Sequence, residues 1–429
     1  MNYPWWLVAF AGIGVLAIAG GILTLFFSLG RRPQRMWTDS VEPVHSDDFT
    51  GPLAALMNVP LRRGGTAHLL NNGDEIFPAL LEQIRKATRS VHVMVYIWES
   101  GRVSDEIIAA LVERRRSGVQ VRVLLDAFGA LHASDEDFEE LKAAGGRVEK
   151  FRPAVLGKLM RFHRRNHRRA IVMDGCVAFT GGAAIADKWA GNARNTDEWR
   201  DTLVRVDGCI AHNLQSAFCE LWAFCTGEVL TGEDVFPGDM SDDASSDVQS
   251  CGVISSPSSE EHPLRLFFFL TFLAARERLW ITTPYFVPDK HTRRVVKRRA
   301  RAGVDVRILM PNHHTDARPI RQASHSYYGE LLNAGVRIYE YQPTMMHTKA
   351  VVVDGTWSVV GSANMDIRSK ELNEENVLGI RDHGFASQLE RTFLADLERA
   401  KEIDRVEWRR RGIGARILER VCVLFAEQY

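Results

Sequence analysis

Two short stretches of the chain carry residue types suited to phosphoryl chemistry, at the same spacing. The first, Arg164 to Ala184, reads RRNHRRAIVMDGCVAFTGGAA, and the second, Met346 to Asn364, reads MHTKAVVVDGTWSVVGSAN. Each offers a histidine, a cation two residues on, an aspartate five beyond that, and a pair of small residues. In the first copy these are His167, Arg169, Asp174, Gly181 and Gly182. In the second they are His347, Lys349, Asp354, Gly361 and Ser362, with Asn364 beyond. The segments AIVMD and AVVVD read as buried strands, on which residues i and i+2 point the same way. Two imidazoles and two cations facing one another make a phosphate-sized site. One imidazole can attack phosphorus and the other can protonate the leaving oxygen. The cations would hold the non-bridging oxygens and stabilise charge in the transition state. A lone histidine on a strand edge is usually structural, but the same five-element pattern twice in one chain is not. No metal-ligand spacing occurs, and the chemistry calls for no cofactor.

The paired motifs resemble the HxKx4D signature of the phospholipase D superfamily. NHRRAIVMDGCVAFTGGAAIAD, EWRDTLVRVDG, TPYFVPD, MHTKAVVVDG and GSANMDIRSKELNEEN are similar to the wording of its bacterial cardiolipin synthases. The resemblance covers Leu61 to the C-terminus. It implies two duplicated α/β/α domains with the active site at their interface, preceded here by one transmembrane helix. It also implies a two-step phosphatidyl transfer through a phosphatidyl–histidine, in which one phosphatidylglycerol is the donor, glycerol leaves and a second phosphatidylglycerol supplies the hydroxyl. On that basis His167 is the nucleophile and His347 the general acid and then base. Arg169 and Lys349 are the cations, and Asp174 and Asp354 complete the motifs with a role that is as much structural as catalytic. Asp201 in WRDT and Glu375 in ELNEEN match the acids that orient the imidazoles, with Glu374 competing for the second place. Ser362 and Asn364 are supporting residues. Two other readings stay open: a phospholipase D-type phosphodiester hydrolase, and a weakened member of the family acting as a binding protein. The acceptor alcohol is likewise open.

The first copy departs from the superfamily pattern. Arg169 replaces lysine but keeps the charge in a planar fork that suits two phosphate oxygens. Gly182 is usual in this branch. Ala184 replaces asparagine, and losing one donor to a developing oxyanion can cost ~10²–10³ in rate. The nucleophile, the acid and both cations survive, so the first copy reads as a working half-site.

These residues need elements to position them. Asn71-Asn72-Gly73-Asp74 marks a turn or helix start; Ile76 to Ala87 has helical periodicity and Val91 to Trp98 reads as a strand. A helix over Asp105–Ser117 and the strand VQVRVLLDAF follow, the rhythm of an α/β fold with a largely parallel sheet. The second half repeats the first: GVQVRVLLD matches GVDVRILMP, AAGGRVEKFRP matches NAGVRIYEYQP, and SVHVMVYIW matches RLWITTPYF. The expected organisation is an anchor with its basic flank at 1–36, a tether at 37–60, a first domain at 61–237, a flexible linker at 238–262 and a second domain at 263–429. The apolar LRLFFFLTFLAA is expected to be a buried helix of the second domain.

Charge and hydropathy bear on location. The 429 residues carry 54 basic and 54 acidic side chains, so no polyanionic partner is indicated and no nucleic acid is expected. From Trp5 to Leu29 there is no charged residue. As a helix that run spans ~37 Å, against roughly 30 Å of bilayer hydrocarbon. Arg31, Arg32 and Arg35 follow it, which puts the remainder on the cytoplasmic side of a bacterial inner membrane. The six cysteines form no CxxC pair and read as reduced. Arg161, His163, Arg164, Arg165, Arg168 and Arg169 crowd the approach to His167, and Arg164, Arg165 and Arg168 are expected to gather anionic headgroups such as phosphatidylglycerol. VLGKLM before them could dip into the interface. The C-terminal helix has Ile413, Ile417, Val421 and Leu424 on one face, suited to core packing or to membrane contact.

Overall fold

The computed structural model describes residues 36–38, 40–153, 164–238, 242–257 and 262–425. The Trp5–Leu29 run, Arg31, Arg32, Arg35, the VLGKLM segment, Arg161 and His163 lie outside these residues. Among the described residues no helix is long and apolar enough to cross a membrane.

Among the described residues eighteen strands form the framework. In chain order the first half supplies β1 (Arg62–Arg63), β2 (Thr66–Asn71), β3 (Ser90–Val95), β4 (Gln120–Asp126), β5 (Arg147–Phe151), β6 (Ala170–Met173), β7 (Val177–Gly181) and β8 (Thr202–Asp207). The second supplies β9 (Gln249–Ser255), β10 (Arg278–Thr282), β11 (Phe286–Val287), β12 (Asp305–Pro311), β13 (Arg337–Tyr341), β14 (Ala350–Val353), β15 (Trp357–Gly361), β16 (Met365–Asp366), β17 (Glu375–Arg381) and β18 (Ala400–Glu402). One sheet has the order β2-β8-β7-β6-β3-β4-β5. The other contains the same order in its own strands, β9-β17-β15-β14-β10-β12-β13, with β1 and β18 at its edges. The internal repeat is therefore a repeat of topology.

The sheets are mixed rather than largely parallel. Within the two large sheets β3–β4 and β4–β5, and likewise β10–β12 and β12–β13, run parallel and the other strand pairings are antiparallel, while β11 and β16 form a separate parallel pair. Helices of 12 to 15 residues supply the crossovers for three of the parallel pairs in the large sheets, and β4 connects to β5 through the short Glu139–Ala143 helix. The Arg102–Arg116 helix leads from β3 to β4 and buries Val103, Ile107, Ile108 and Leu111. The motif strands instead turn back on themselves. Asp174 and Gly175 have φ of 54° and 69°, and Asp354 and Gly355 have 50° and 62°. Consecutive left-handed residues are what a tight antiparallel hairpin demands, and the Asp-Gly pairs in the sequence carried that signal.

Two segments expected to be loosely held are parts of the fold. The 37–60 tether contains a helix, Asp47–Leu56, capped by Ser46, and it buries Phe49, Leu53 and Ala54. Phe49 packs edge-on against Trp357 at 5.3 Å. The 238–262 linker contains β9, which pairs with the full length of β17. Its low hydropathy has a packing cause: a Cβ on Gly252 would lie 2.5 Å from the Asn213 Cβ, so the covering helix requires small residues. That helix, Ala211–Thr226, belongs to a core cluster shared by both sheets, with Leu214, Phe218 and Trp222 beside Trp280, Tyr341 and Phe393. The LRLFFFLTFLAA segment forms a buried helix, Pro263–Ala274, as its sequence implies. At the other end, Cys422 and Val423 of the Ile413–Phe425 helix pack toward Ile320 and Ala323. Its Ile413, Ile417, Val421 and Leu424 face solvent, with exposures of 75%, 58%, 44% and 67%.

Candidate active site

The two histidine motifs meet where the halves join, and they are stitched there twice in the same way. Glu374 N–H donates to the Arg165 carbonyl at 2.8 Å, and His167 N–H donates to the Glu374 carbonyl at 2.9 Å. Reciprocally, Arg200 N–H donates to the Met345 carbonyl and His347 N–H to the Arg200 carbonyl, both at 2.8 Å. Each bridge pins a histidine opposite the acid that follows its bridging residue in the other half. His347 Nδ1 lies 2.9 Å from Asp201 Oδ2. His167 Nδ1 lies 3.4 Å from Glu375 Oε1, a loose separation of the kind that tightens when substrate binds. Each imidazole is therefore faced by a carboxylate from the other half. Glu374 is directed elsewhere, to Arg168 at 2.8 Å and to the Ser256 hydroxyl at 3.1 Å.

His347 Nδ1 also lies 3.0 Å from the Gly182 carbonyl. Two acceptors on that nitrogen put the ring proton there. Nε2 then carries a lone pair, which meets the Lys349 ammonium at 3.0 Å. Burial, reinforced by the Lys349 charge, pushes the His347 pKa down to about 4. Burial also pulls Lys349 down to about 7, with the nearby Arg169 charge acting the same way. Burial opposes ionisation of Asp201, yet its hydrogen bond to His347 holds the carboxyl below its ordinary value. The picture is a neutral imidazole between an ionised carboxylate and a cation poised to lose its proton. Both cations have an anion's oxygens to gain.

The pattern in the first half differs in detail. Arg169 is buried and its guanidinium donates to the Gly181 carbonyl at 2.9 Å and also to that of Gly182. Its backbone N–H is held by Asn376 Oδ1 at 2.7 Å. Gly182 has no room for a side chain, since a Cβ would come within 2.0 Å of Asp201 Oδ1 and 2.5 Å of the His347 carbonyl. In the second half Ser362 occupies the matching place and donates to Glu375. Ala184 is 2% exposed and packs in the first half's apolar core, whereas Asn364 lines the cavity and its Oδ1 has no hydrogen-bond donor among the described residues.

A cavity of about 690 Å³ opens over both histidines, within the roughly 300–1,000 Å³ range of small-molecule sites. Arg165, His167, Arg169, His347, Lys349, Ser362 and Asn364 line it. The side chain of His167 is 20% exposed and that of His347 is 8% exposed, so the first ring presents more of itself to the cavity. Tyr96 leans over His167 with ring centroids 4.0 Å apart, and burial pushes its hydroxyl pKa up to about 12.

Four expected site residues lie elsewhere. Asp174 and Asp354 sit at the far ends of their strands, seven residues from the histidines and hence ~23 Å along an extended chain. Asp174 accepts the backbone N–H groups of Thr88, Arg89 and Ser90, and Asp354 those of Arg276, Glu277 and Arg278. These aspartates tie hairpins to the sheet and touch no reacting atom. Arg168 is fully buried, paired with Glu220 and Glu374 and donating to the Ser255 carbonyl at 3.3 Å. Alternation along an extended segment turns it away from His167 and Arg169, so it clamps the halves rather than meeting a headgroup. Arg164 is half-buried beside the motif but does not line the cavity. Sequence reasoning missed Asn376, Tyr96 and Arg200. Arg200 and Asn376 flank the expected acids, Asp201 and Glu375, which was the available signal.

Residues 80–222 and 271–397 match the family described as cardiolipin synthase, PLD-like domain. The chain is 34% identical over 362 residues to cardiolipin synthase 1 of Bacillus cereus, covering 82% of this chain and 70% of that one. It is 35% identical over 369 residues to the cardiolipin synthase of Geobacillus thermodenitrificans, covering 86% and 73%. Among solved structures, the phosphatidylserine synthase of Haemophilus influenzae superposes with a TM-score of 0.68 at 16% identity, covering 88% of this chain and 97% of that one. That likeness establishes the fold, and sequence identity over most of both chains establishes the rest: this chain belongs to the cardiolipin synthase family of phospholipase D-like proteins.

Proposed function

We propose that this protein is a phosphatidyltransferase that condenses two phosphatidylglycerols into cardiolipin and glycerol. The observation that carries the reading is the pair of cavity-lining imidazoles, each faced by a carboxylate from the opposite half, with Arg169 and Lys349 beside them. His167 is the nucleophile, favoured by its greater exposure, and its attack on phosphorus expels the glycerol oxygen. The charge of the bound phosphodiester opposes the Lys349 charge that depresses His347, so the ring enters this step protonated at Nε2 as well and delivers that proton to the leaving oxygen. In the second step His347 takes a proton from the acceptor hydroxyl, whose oxygen attacks phosphorus as the bond to His167 breaks. Asp201 and Glu375 keep the rings oriented, and Arg169 and Lys349 neutralise the phosphoryl oxygens. Asn364 and Ser362 support the second half-site. The chain carries its own reaction through these groups.

The apolar Trp5–Leu29 run is proposed as the membrane anchor, with the catalytic domains on the cytoplasmic face of a bacterial inner membrane. The solvent-facing apolar side of the Ile413–Phe425 helix supports contact with lipid. The test is mass spectrometry of lipids after incubating the purified protein with phosphatidylglycerol vesicles, alongside His347→Ala. Cardiolipin with equimolar glycerol, absent in the variant, is the expected result. Phosphatidic acid alone would replace this reading with hydrolysis, and no product from the wild-type protein would overturn it.

A further inference from the structure

The cavity holds more anion-binding groups than one phosphodiester needs, and the surplus is all on one side. Arg165, His167 and Arg169 occupy alternate positions of one segment and line the cavity in a row. On the opposite side the row has only His347 and Lys349, because the place matching Arg165 is taken by Met345. Two residues of the second half complete the surplus. Arg368 lines the cavity, and its guanidinium is close enough to Arg165 to act, together with burial, in depressing that residue's pKa. Asn373 is 1% exposed and lines the cavity, and among the described residues neither its Nδ2 nor its Oδ1 has a hydrogen-bond partner. A buried amide with both ends unmatched costs free energy unless a ligand engages it. The matching places in the first half hold Lys188, which pairs with Glu99 at 2.6 Å, and Trp199.

Asp126 acts on Arg165, and Asp366, which also lines the cavity, acts on Arg368; burial pushes both carboxyls above their ordinary range. Asp126 accepts the backbone N–H groups of Phe128, Gly129 and Asn166. Asp316 accepts from the Tyr285 hydroxyl at 2.7 Å. The neighbourhood of Arg165, Arg368 and Asn373 thus combines two guanidinium groups with an amide, a donor set for phosphate oxygens.

We propose that Arg165, Arg368 and Asn373 form a second phosphodiester subsite, which binds the phosphate of the acceptor lipid while the transferred phosphoryl group lies between the histidines. The inference rests on the phosphatidyl-transfer reading and deepens it. Arg165 and His167 are two residues apart on an extended segment, ~7 Å along the chain. Two phosphates joined by a three-carbon glycerol bridge call for neighbouring subsites on that scale. The reacting phosphate straddles the relation between the halves, whereas the acceptor's own phosphate lies to one side of it, where the extra groups are. In the transfer step the acceptor's terminal hydroxyl oxygen bonds to phosphorus, the bond from phosphorus to His167 breaks, and the hydroxyl proton passes to His347. The subsite takes no part in bond making; it selects an alcohol that carries a phosphate.

The test is a competition between two acceptors for one phosphatidyl-enzyme. Full-length protein is incubated with phosphatidylglycerol vesicles and ethanol, and the ratio of cardiolipin to phosphatidylethanol is read by mass spectrometry. A product ratio does not depend on how much of a variant is folded. Arg368→Gln and Asn373→Ala are each expected to lower it about 10- to 100-fold, the loss expected for one hydrogen bond to a charged group. Arg368→Lys, which keeps the charge, is expected to fall between Arg368→Gln and wild type. A ratio within twofold of wild type in both Arg368→Gln and Asn373→Ala would overturn the subsite while leaving phosphatidyl transfer standing. Wild-type protein that makes phosphatidylethanol but no cardiolipin would overturn the cardiolipin reading, and the acceptor subsite with it.

Discussion

Replacing Gly182 with serine would make the first motif more like the second, and the structure says that this repair breaks the enzyme. A Cβ at 182 would lie 2.0 Å from Asp201 Oδ1 and 2.5 Å from the His347 carbonyl oxygen. Neither neighbour is free to yield. The carboxylate of Asp201 is held by the Thr202 N–H and the Trp189 indole N–H, both at 2.8 Å, as well as by His347. The His347 carbonyl is backbone, and it receives the Lys349 ammonium at 2.9 Å. Restoring ordinary contact, at least 3.0 Å, moves the carboxylate by about an ångström, and misplacement on that scale costs about 10²-fold in rate. Gly182→Ser is thus expected to slow phosphatidyl transfer about 100-fold, and Gly182→Ala to do nearly the same, since the offending atom is Cβ. The assay is initial-rate cardiolipin formation in phosphatidylglycerol vesicles, with the thermal midpoint measured in parallel to separate misplacement from unfolding. A Gly182→Ser enzyme with wild-type rate would refute the claim that Asp201 must sit where it does to orient His347.

Other outcomes follow from the same geometry. His347→Ala is expected to cost about 10²–10⁴ in turnover of phosphatidylglycerol but to spare an initial burst with a nitrophenyl phosphodiester, whose leaving group needs no proton; His167→Ala should abolish both. Because burial pulls Lys349 down to about 7, an anion arriving beside it raises it, and binding at pH 8 should take up protons, approaching one per site. Calorimetry of phosphodiester binding in buffers of different ionisation enthalpy measures that uptake, and zero uptake would count against the depressed ammonium. The folded-state pKa of His347 lies near 4, below the ordinary histidine value of 6.5, so between those values the unfolded chain binds more protons and stability falls as pH is lowered. Asp201, also held below its ordinary value, acts in the same direction at lower pH. Denaturant titrations from pH 7 to pH 4.5 should show the loss, and His347→Gln should flatten the upper part of it. Arg168→Met should destabilise the protein by about 3–5 kcal/mol by stranding buried Glu374, read as a lower denaturation midpoint.

What the sequence revealed and what it hid divide along physical lines. Periodicity and internal repetition located the motif strands, and strand alternation placed each histidine on the same side as its cation, because those rules are local. The largely parallel sheet was the wrong extrapolation from early helix–strand alternation, and the Asp-Gly pairs after AIVM and AVVV pointed to hairpins instead. Strand β9 escaped notice because its Ser, Cys and Gly residues are small to admit a covering helix, and small residues resemble a linker in composition. Arg168 reads as a headgroup contact because it stands in a basic run beside the histidine motif, yet a guanidinium can be buried when two carboxylates meet it. The choice between Glu374 and Glu375 could not be made locally at all. It depends on which of two adjacent residues faces the other half, and the chain states that only when both halves are folded together.

That dependence is itself informative about how the site works. Had each histidine been oriented by its own half, a single half could hold a competent imidazole. Exchange of Asp201 and Glu375 makes each ring's environment depend on the junction, and the paired backbone bridges at Arg165–Glu374–His167 and Met345–Arg200–His347 fix that junction at both rings. The two imidazoles are thereby held in a constant relation, which the proposed two-step displacement with role reversal at His347 requires. The same construction permits the halves to diverge without loss of the shared geometry. Gly182 and Ala184 on one side, and Ser362 and Asn364 on the other, alter what surrounds each ring while leaving the bridges unchanged. Divergence of this kind is how a duplicated fold can give one histidine to covalent bonding and the other to proton transfer.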